Sequence, residues 1–375
     1  MISFRKKIIF IINSAQNQRC IKRVNEFVNN GYEVAAYAFT RGEELRNRPQ
    51  FELGIIGHIS NDTPYCDRLR LIYKAIKGII IKHKQENVMF YLFSLDVALM
   101  FRLQCSKKYI YEESDLVHTY ISNKWVQRVF EYIDKKIIKG SVLTVFTSQG
   151  FIKYHFKDDT PNNTIVVPNR LAPEILDYSI IPKDAINTSC IKFGFVGAVR
   201  FKSLYRLAET ILNNFPNHEF HFYGTINSNR DGDFLELDKF QNCFFHGGFK
   251  NPQDLPHIYS SIDIVISTYD LVEENVKYAE PNKLYEAIYF ETPIVVTTGT
   301  YLAEKVNELG IGYDVDAMNE KSVISFVNSL TQENLQKRID GCKRIDKEKT
   351  LNLNKELFER LDNINIKQKN IHSIR

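Results

Sequence analysis

Glycine supplies only 17 of the 375 residues and proline 11, too few for a collagenous repeat, a Gly-rich linker array or a low-complexity chain. Cysteine is sparse as well. The six stand at 20, 66, 105, 190, 243 and 342 without a C-x-x-C pair, so no zinc ribbon or local redox motif is encoded. Thiols scattered in this way read as reduced and buried, as in a cytoplasmic protein. No apolar run reaches the ~18 residues of a membrane span. The first run, 8 to 12, follows a basic start but stops after five residues, short of a signal-peptide core, and reads as a strand. A strong charge bias is also missing: 49 Lys and Arg against 45 Asp and Glu leave a net +4, below the basic excess of a dedicated nucleic-acid binder. What is present, 44% hydrophobic residues with 20 Tyr and 26 Phe, suffices for packed cores. At ~150 residues per domain, two domains fit the length best. The expectation is a soluble chain, at most peripheral to a membrane.

Short apolar runs alternate with longer helical patterns throughout, the form taken by βα units around parallel sheets buried on both faces. Strands are predicted at 8–12, 88–94, 108–113 and 142–148, with a helix and a second strand between 20 and 39 that turn at Gly31. Residues 68–84 form an amphipathic basic helix with Leu69, Ile72, Tyr73, Ile76 and Ile80 on one side, either a solvated face opposite a core face or a membrane-surface element. Pro168 and Pro173 mark a break, and the linker is expected between 170 and 190. The alternation restarts with strands at 191–199, 219–224, 242–248, 261–268 and 293–298 and helices near 203–214, 252–260 and 282–291. The tail from 319 to 363 reads as helical, and KQKNIHSIR at the end as a polar, frayed segment. The predicted domains are 1–175, 176–345 and a C-terminal helix and tail, 346–375, packing back on the first.

Among motifs, the P-loop, the G-x-G-x-x-G turn, H-E-x-x-H, G-x-S-x-G and EF-hand spacings are all absent. The nine His are dispersed without metal-ligand spacing, so no metal site is expected. The informative stretch is SIDIVISTYDLVEENVKYAEPNKLYEAIYFETPIVVTTGT, a buried strand, a polar loop, a helix opening at Pro281 and a second buried strand. Pro suits a first helical turn because its missing N–H has no intrahelical partner there. The free N–H groups of Asn282 and Lys283 then point into the crevice at the strand's carboxyl end, where open α/β sheets take anions and nucleotides. Lys283 and Glu286 share a face at i, i+3. The carboxylate suits two vicinal hydroxyls and the ammonium a phosphate. The alternative is an exposed helical pair contributing ~0.3 kcal/mol.

PNKLYEAIYFETPIVV (281–296) closely resembles the donor-site signature of the family-4 (GT4) glycosyltransferases, bacterial surface-polysaccharide enzymes of the GT-B fold. The resemblance implies an α/β chain of two Rossmann-like domains whose parallel sheets face a central cleft. The fuller signature has two glutamates separated by seven residues. The second is Glu286, which the resemblance places on a ribose, whereas Tyr278 stands where the first falls; either Glu280, close by, substitutes or the loop amides alone hold the sugar. FGFVGAVRFKSL (193–204) is similar to the segment where Arg and Lys hold the donor diphosphate: Gly197 ends the strand, Ala198 follows, and Arg200 and Lys202 take the cationic places in the loop before the helix. A solvated basic loop is the alternative. Gly247 and Gly248 match a loop that admits a nucleobase or loop backbone closely. In the first half, KYIYEESDL (108–116) puts Ser114 where relatives often carry His. Asp115 then orients an acceptor hydroxyl or caps a helix, and His118 is a weaker substitute.

The resemblance implies a retaining, metal-independent transferase that moves a sugar from a nucleoside-diphosphate donor to a hydroxyl acceptor, with Arg200, Lys202 and Asp115 as catalytic residues. The donor contacts would be Glu286, Lys283, Asn282, Pro281, Glu280, Gly197 and Gly248, without a cofactor. It further implies capsular, lipopolysaccharide or exopolysaccharide synthesis on a glycan or polyprenyl-linked acceptor, at the cytoplasmic face of the plasma membrane. A nucleotide-sugar 2-epimerase and a silent nucleotide-sugar binding protein share the donor site. A two-lobed solute-binding protein would carry an export signal.

Overall fold

The computed structural model describes residues 5–41, 49, 51–60, 62–157, 159–183, 185–226 and 232–364, which form two compact α/β units. Unit one is Met1–Val167 with Asn354–Arg375; unit two is Pro168–Leu353. The expected frayed tail lies outside the described residues.

Unit one contains strands β1 (Arg5–Ile12), β2 (Tyr32–Thr40), β3 (Leu53–His58), β4 (Met89–Phe93), β5 (Tyr109–Glu113), β6 (Leu143–Phe146) and β7 (Thr164–Val166). Its helices are α1 (Gln18–Asn29), α2 (Tyr65–Lys82), α3 (Leu95–Arg102), α4 (Lys124–Gly140) and α5 (Gln149–Phe156). Every pairing is parallel, in the order β3-β2-β1-β4-β5-β6-β7. β4, β5 and β6 are buried at every residue, as expected of strands covered on both faces. α1 starts where the Asn17 side chain accepts from the N–H groups of Arg19 and Cys20, and it buries Ile21, Val24 and Phe27. α2 buries Ile72, Ile76 and Ile79 and leaves Tyr73 exposed, a register slightly rotated from the expected stripe.

Unit two contains α6 (Lys202–Asn214), α7 (Leu255–Ser260), α8 (Glu274–Tyr278), α9 (Lys283–Tyr289), α10 (Tyr301–Leu309), α11 (Glu320–Asn328) and α12 (Gln332–Lys343). Its strands are β8 (Lys192–Val196), β9 (Glu219–Tyr223), β10 (Cys243–Gly247), β11 (Ile264–Ser267), β12 (Ile294–Thr297) and β13 (Gly312–Val315). They too are parallel, in the order β10-β9-β8-β11-β12-β13. The order reverses between β8 and β11, which opens a crevice at their carboxyl ends.

The stretch 170–190, expected as a linker, is tied into unit two. Leu171 bridges Leu351, Ile175 is fully buried, and Lys183 Nζ donates to Ile262 O at 3.1 Å. The segment 346–375 divides: residues up to Leu353 stay with unit two, and α13 (Lys355–Asn363) buries Leu357, Phe358 and Leu361 in the core of unit one. Phe358 meets Phe27 edge-on at 5.2 Å, and Asn354 Nδ2 donates to Glu26 Oε2 at 2.8 Å.

Candidate active site

Three neighbouring strands of unit two end in glycines with positive φ: Gly197 at 139°, Gly224 at 144° and Gly247 at 75°. The backbones touch there, with Gly197 N donating to Tyr223 O at 2.7 Å and Gly224 N to Gly247 O at 2.7 Å. A Cβ on Gly224 would stand 1.8 Å from Gly197 O, so torsion and space both require glycine. A Cβ on Gly197 would stand 3.3 Å from Lys283 Nζ. The glycine thus lets the ammonium lie against the end of β8. Gly248 is exposed, and a Cβ there would meet only Thr225 Cγ2, at 3.9 Å.

The turn that starts α9 brings the lysine in. Leu284 N donates to Pro281 O at 3.2 Å, and Tyr285 N and Glu286 N to Asn282 O at 2.9 and 3.0 Å. The hydrogen-bonded turn therefore opens at Pro281, as a proline without a donor allows. The N–H groups of Asn282 and Lys283 meet no acceptor among the described residues. Lys283 Nζ donates to Tyr269 OH at 3.3 Å and lies 4.3 Å from the Phe195 ring centroid. Among the described residues it pairs with no carboxylate. Asn282 Oδ1 accepts from Asn169 Nδ2 at 2.8 Å.

One turn further, Glu286 is buried and its Oε2 accepts from Tyr259 OH at 2.7 Å. The Tyr259 ring is stacked on Phe290 at 4.7 Å, and burial beside the carboxylate pushes its hydroxyl pKa well up. The exposed Lys283–Glu286 pair allowed by spacing alone does not form, because the two side chains engage different partners.

Glu280 is committed elsewhere. Its Oε1 accepts from Tyr285 OH and pairs with Lys305 Nζ at 2.9 Å, and its Oε2 is buried with no hydrogen-bond partner among the described residues. Lys305, a cation that no local spacing points to, thus holds the carboxylate expected to replace the one absent at Tyr278.

Lys202 was expected in the loop before a helix; it is instead the first residue of α6. Asp270, from the chain after β11, explains the difference: its carboxylate accepts from the N–H groups of Lys202 at 3.1 Å and Ser203 at 2.7 Å. That carboxylate fills the positive end of α6, and the Lys202 side chain stays exposed. Arg200 is exposed too, its guanidinium carbon 4.9 Å from the Phe201 ring. Tyr269 and Asp270 were missed in the sequence, where the signal was their place directly after a buried strand at the reversal of strand order.

In unit one, Asp115 Oδ2 lies 3.7 Å from Arg19 Nη1, which also donates to Ser114 O at 3.2 Å. The following turn, Val117–Tyr120, has Leu116 at its cap position and no side-chain hydrogen bond from that residue. His118 is wholly buried, with Nδ1 3.2 Å from Asp134 Oδ2 and Nε2 3.2 Å from Tyr154 OH. His118, the weaker substitute for a histidine before Asp115, is therefore a buried side chain.

No family model matches the chain. The succinoglycan biosynthesis protein ExoL of Rhizobium meliloti is 24% identical over 255 residues, 62% of this chain and 61% of that protein. The match thus spans less than two thirds of that relative's length. Among solved structures, HepE of Anabaena in complex with UDP and glucose aligns with a TM-score of 0.70 over 96% of this chain and 100% of its own, at 12% identity. Sucrose-phosphate synthase of Thermosynechococcus elongatus aligns at 0.68 over 96% and 99%, at 13% identity. The fold is GT-B. At these identities the likeness is one of architecture, and it covers both sheets of the GT-B chain. Among the described residues no helix of this GT-B chain is long and apolar enough to cross a membrane.

Proposed function

We propose that the chain is a retaining, metal-independent glycosyltransferase of the GT4 type, transferring a sugar from a nucleoside-diphosphate donor to a hydroxyl acceptor in surface-polysaccharide synthesis. The observation that carries this reading is the half-buried Lys283 ammonium, held against the positive-φ Gly197 where the strand order reverses and unpaired with any carboxylate among the described residues. A cation placed there suits a diphosphate. Unit two takes the nucleotide: Glu286 accepts the ribose hydroxyls, the open Gly247–Gly248 edge leaves room for the base, and the amides of Asn282 and Lys283 face phosphate oxygens. HepE, which shares the fold, is complexed with UDP and glucose, so UDP is the first nucleotide to test.

In the transfer step the bond from the anomeric carbon to the phosphate oxygen breaks and its electron pair passes to the diphosphate. The acceptor oxygen bonds the same face of that carbon, and its proton passes to the departing phosphate oxygen. Lys283, Arg200 and Lys202 stabilise the charge that develops on the leaving group. Asp115 orients the acceptor hydroxyl, and positioning supplies much of the rate. A polyprenyl-linked acceptor at the cytoplasmic face of the plasma membrane fits α2, whose Lys74, Lys77 and Lys82 are exposed beside Leu71, Tyr73 and Ile81.

Calorimetry with UDP tests the nucleotide site. The intact chain binds, and Glu286→Ala weakens binding at least about tenfold, a loss of about 1.4 kcal/mol. Equal affinity in the two proteins would remove the ribose assignment. Incubating UDP-sugars without acceptor separates the class of reaction: release of an isomerised sugar nucleotide would identify an epimerase, and binding with no turnover on any acceptor a silent module. Co-sedimentation with anionic vesicles, lost on charge reversal of Lys74, Lys77 and Lys82, checks the membrane contact.

A further inference from the structure

Unit one contains a second polar cluster, apart from every residue assigned to the donor. Glu113 closes β5, Asp134 lies on α4, His155 on α5, and His118 on the turn Val117–Tyr120. All four are at least nine-tenths buried. His155 Nε2 is 2.8 Å from Glu113 Oε1, and His118 Nδ1 is 3.2 Å from Asp134 Oδ2. Ligand atoms of Glu113, Asp134 and His155 lie within 4.8 Å of one another.

These contacts leave much of the donor and acceptor capacity unused. Among the described residues Glu113 Oε2 and His155 Nδ1 are buried without a hydrogen bond, and Asp134 Oδ2 and His118 Nδ1, although 3.2 Å apart, form none either. Buried polar atoms in native proteins are almost always satisfied, and a concentration of exceptions in one buried cluster calls for a partner. Two carboxylates and two imidazoles form a hard-to-borderline O/N set that suits a divalent transition metal.

We propose that Glu113, Asp134 and His155, with His118 closing the set, form a zinc-binding site in unit one. Four ligand atoms around zinc at about 2.0–2.2 Å stand roughly 3.4 Å apart. Two of the pairs, at 2.8 and 3.2 Å, are near that spacing, and ligand atoms of Glu113, Asp134 and His155 lie within 4.8 Å of one another, so metal binding requires these groups to close in and His118 to join them. A supporting shell is in place: Tyr111 OH donates to Asp134 Oδ1 at 3.0 Å, and Tyr154 OH lies 3.2 Å from His118 Nε2. The metal ties β5, α4, α5 and the intervening turn together. It also fixes the strand end that leads into Asp115. The donor reading is independent of this site, and no transfer step passes through it.

The test uses the full chain. Elemental analysis after dialysis is expected to find about one zinc per chain. Stripping with a chelator lowers the melting temperature and added Zn2+ restores it, as ligand linkage requires. Co2+ added to the stripped chain gives the visible d–d bands of a four-coordinate ion without a thiolate charge-transfer band. Asp134→Asn and His155→Gln abolish the stoichiometric zinc. Absence of zinc together with no shift on Zn2+ addition would overturn the proposal, as would a cobalt–thiolate band or full zinc content in either variant. Should both variants fail to fold, the cobalt spectrum and the chelator comparison on the unmutated chain decide.

Discussion

Lys183 stands at the amino ends of the second sheet, where its Nζ donates to Ile262 O and, at 2.5 Å, to Thr292 Oγ1. Burial lowers its pKa from 10.5 to about 8. Below about 8 the ammonium is protonated in both the folded and unfolded chain, and the desolvation cost is fully present. Between about 8 and 10.5 the unfolded chain holds the proton more tightly, so stability rises with pH across that window. Relative to Lys183→Met, the native chain is expected to gain about 2 kcal/mol there, allowing for partial exposure. Urea denaturation of both proteins across the window checks this, and parallel pH profiles would contradict it. Lys283 was legible in the sequence because Pro281 and Asn282 set its helix locally. Its contacts with Phe195, Gly197 and Tyr269 were not, since they come from other strands.

Among the elements, α6 shows how a start signal can be distant in sequence. Phe201 occupies the cap position but offers no acceptor, and Asp270 supplies it across the strand-order reversal. Asp270→Ala is expected to cost unit two about 1 kcal/mol, read from the shift in its denaturation midpoint. A loss of UDP affinity in the same variant would show that the cap also holds the Arg200–Lys202 segment in place. Other elements gave weak signals. β3 carries Gly54 and Gly57, which weaken strand patterning, yet a Cβ at Gly54 would come within 3.0 Å of the Tyr37 ring. α4 has an amphipathic face, but it buries Gln127 and Asp134 beside Ile137 and Ile138, so its core side does not read as purely apolar.

For the molecule as a whole, the chain leaves unit one at Val167 and returns to it at Asn354. Phe358 packs against Phe27 and Tyr32, at 5.2 and 5.9 Å. Phe358→Ala is expected to destabilise unit one by about 3–5 kcal/mol. If the two units unfold separately, the first transition shifts and UDP binding by unit two persists. A uniform shift of one transition would instead mean that they unfold together. The amphipathic pattern of the C-terminal helix could be read from the chain, because a few neighbouring residues determine it, whereas the core that receives it was made from strands hundreds of residues earlier.

The sequence by itself determined the alternating strands and helices, the paired α/β organisation and the Pro281–Glu286 turn, because side-chain periodicity and first-turn chemistry act over a few residues. Only the tertiary structure decided that Glu113, Asp134 and His155 form one buried cluster with His118 beside Asp134, that Asp270 caps α6, and that Glu280 belongs to Lys305. These pairings depend on strand order and on which helices cover which face, and residues far apart in the chain carry no local mark of that adjacency.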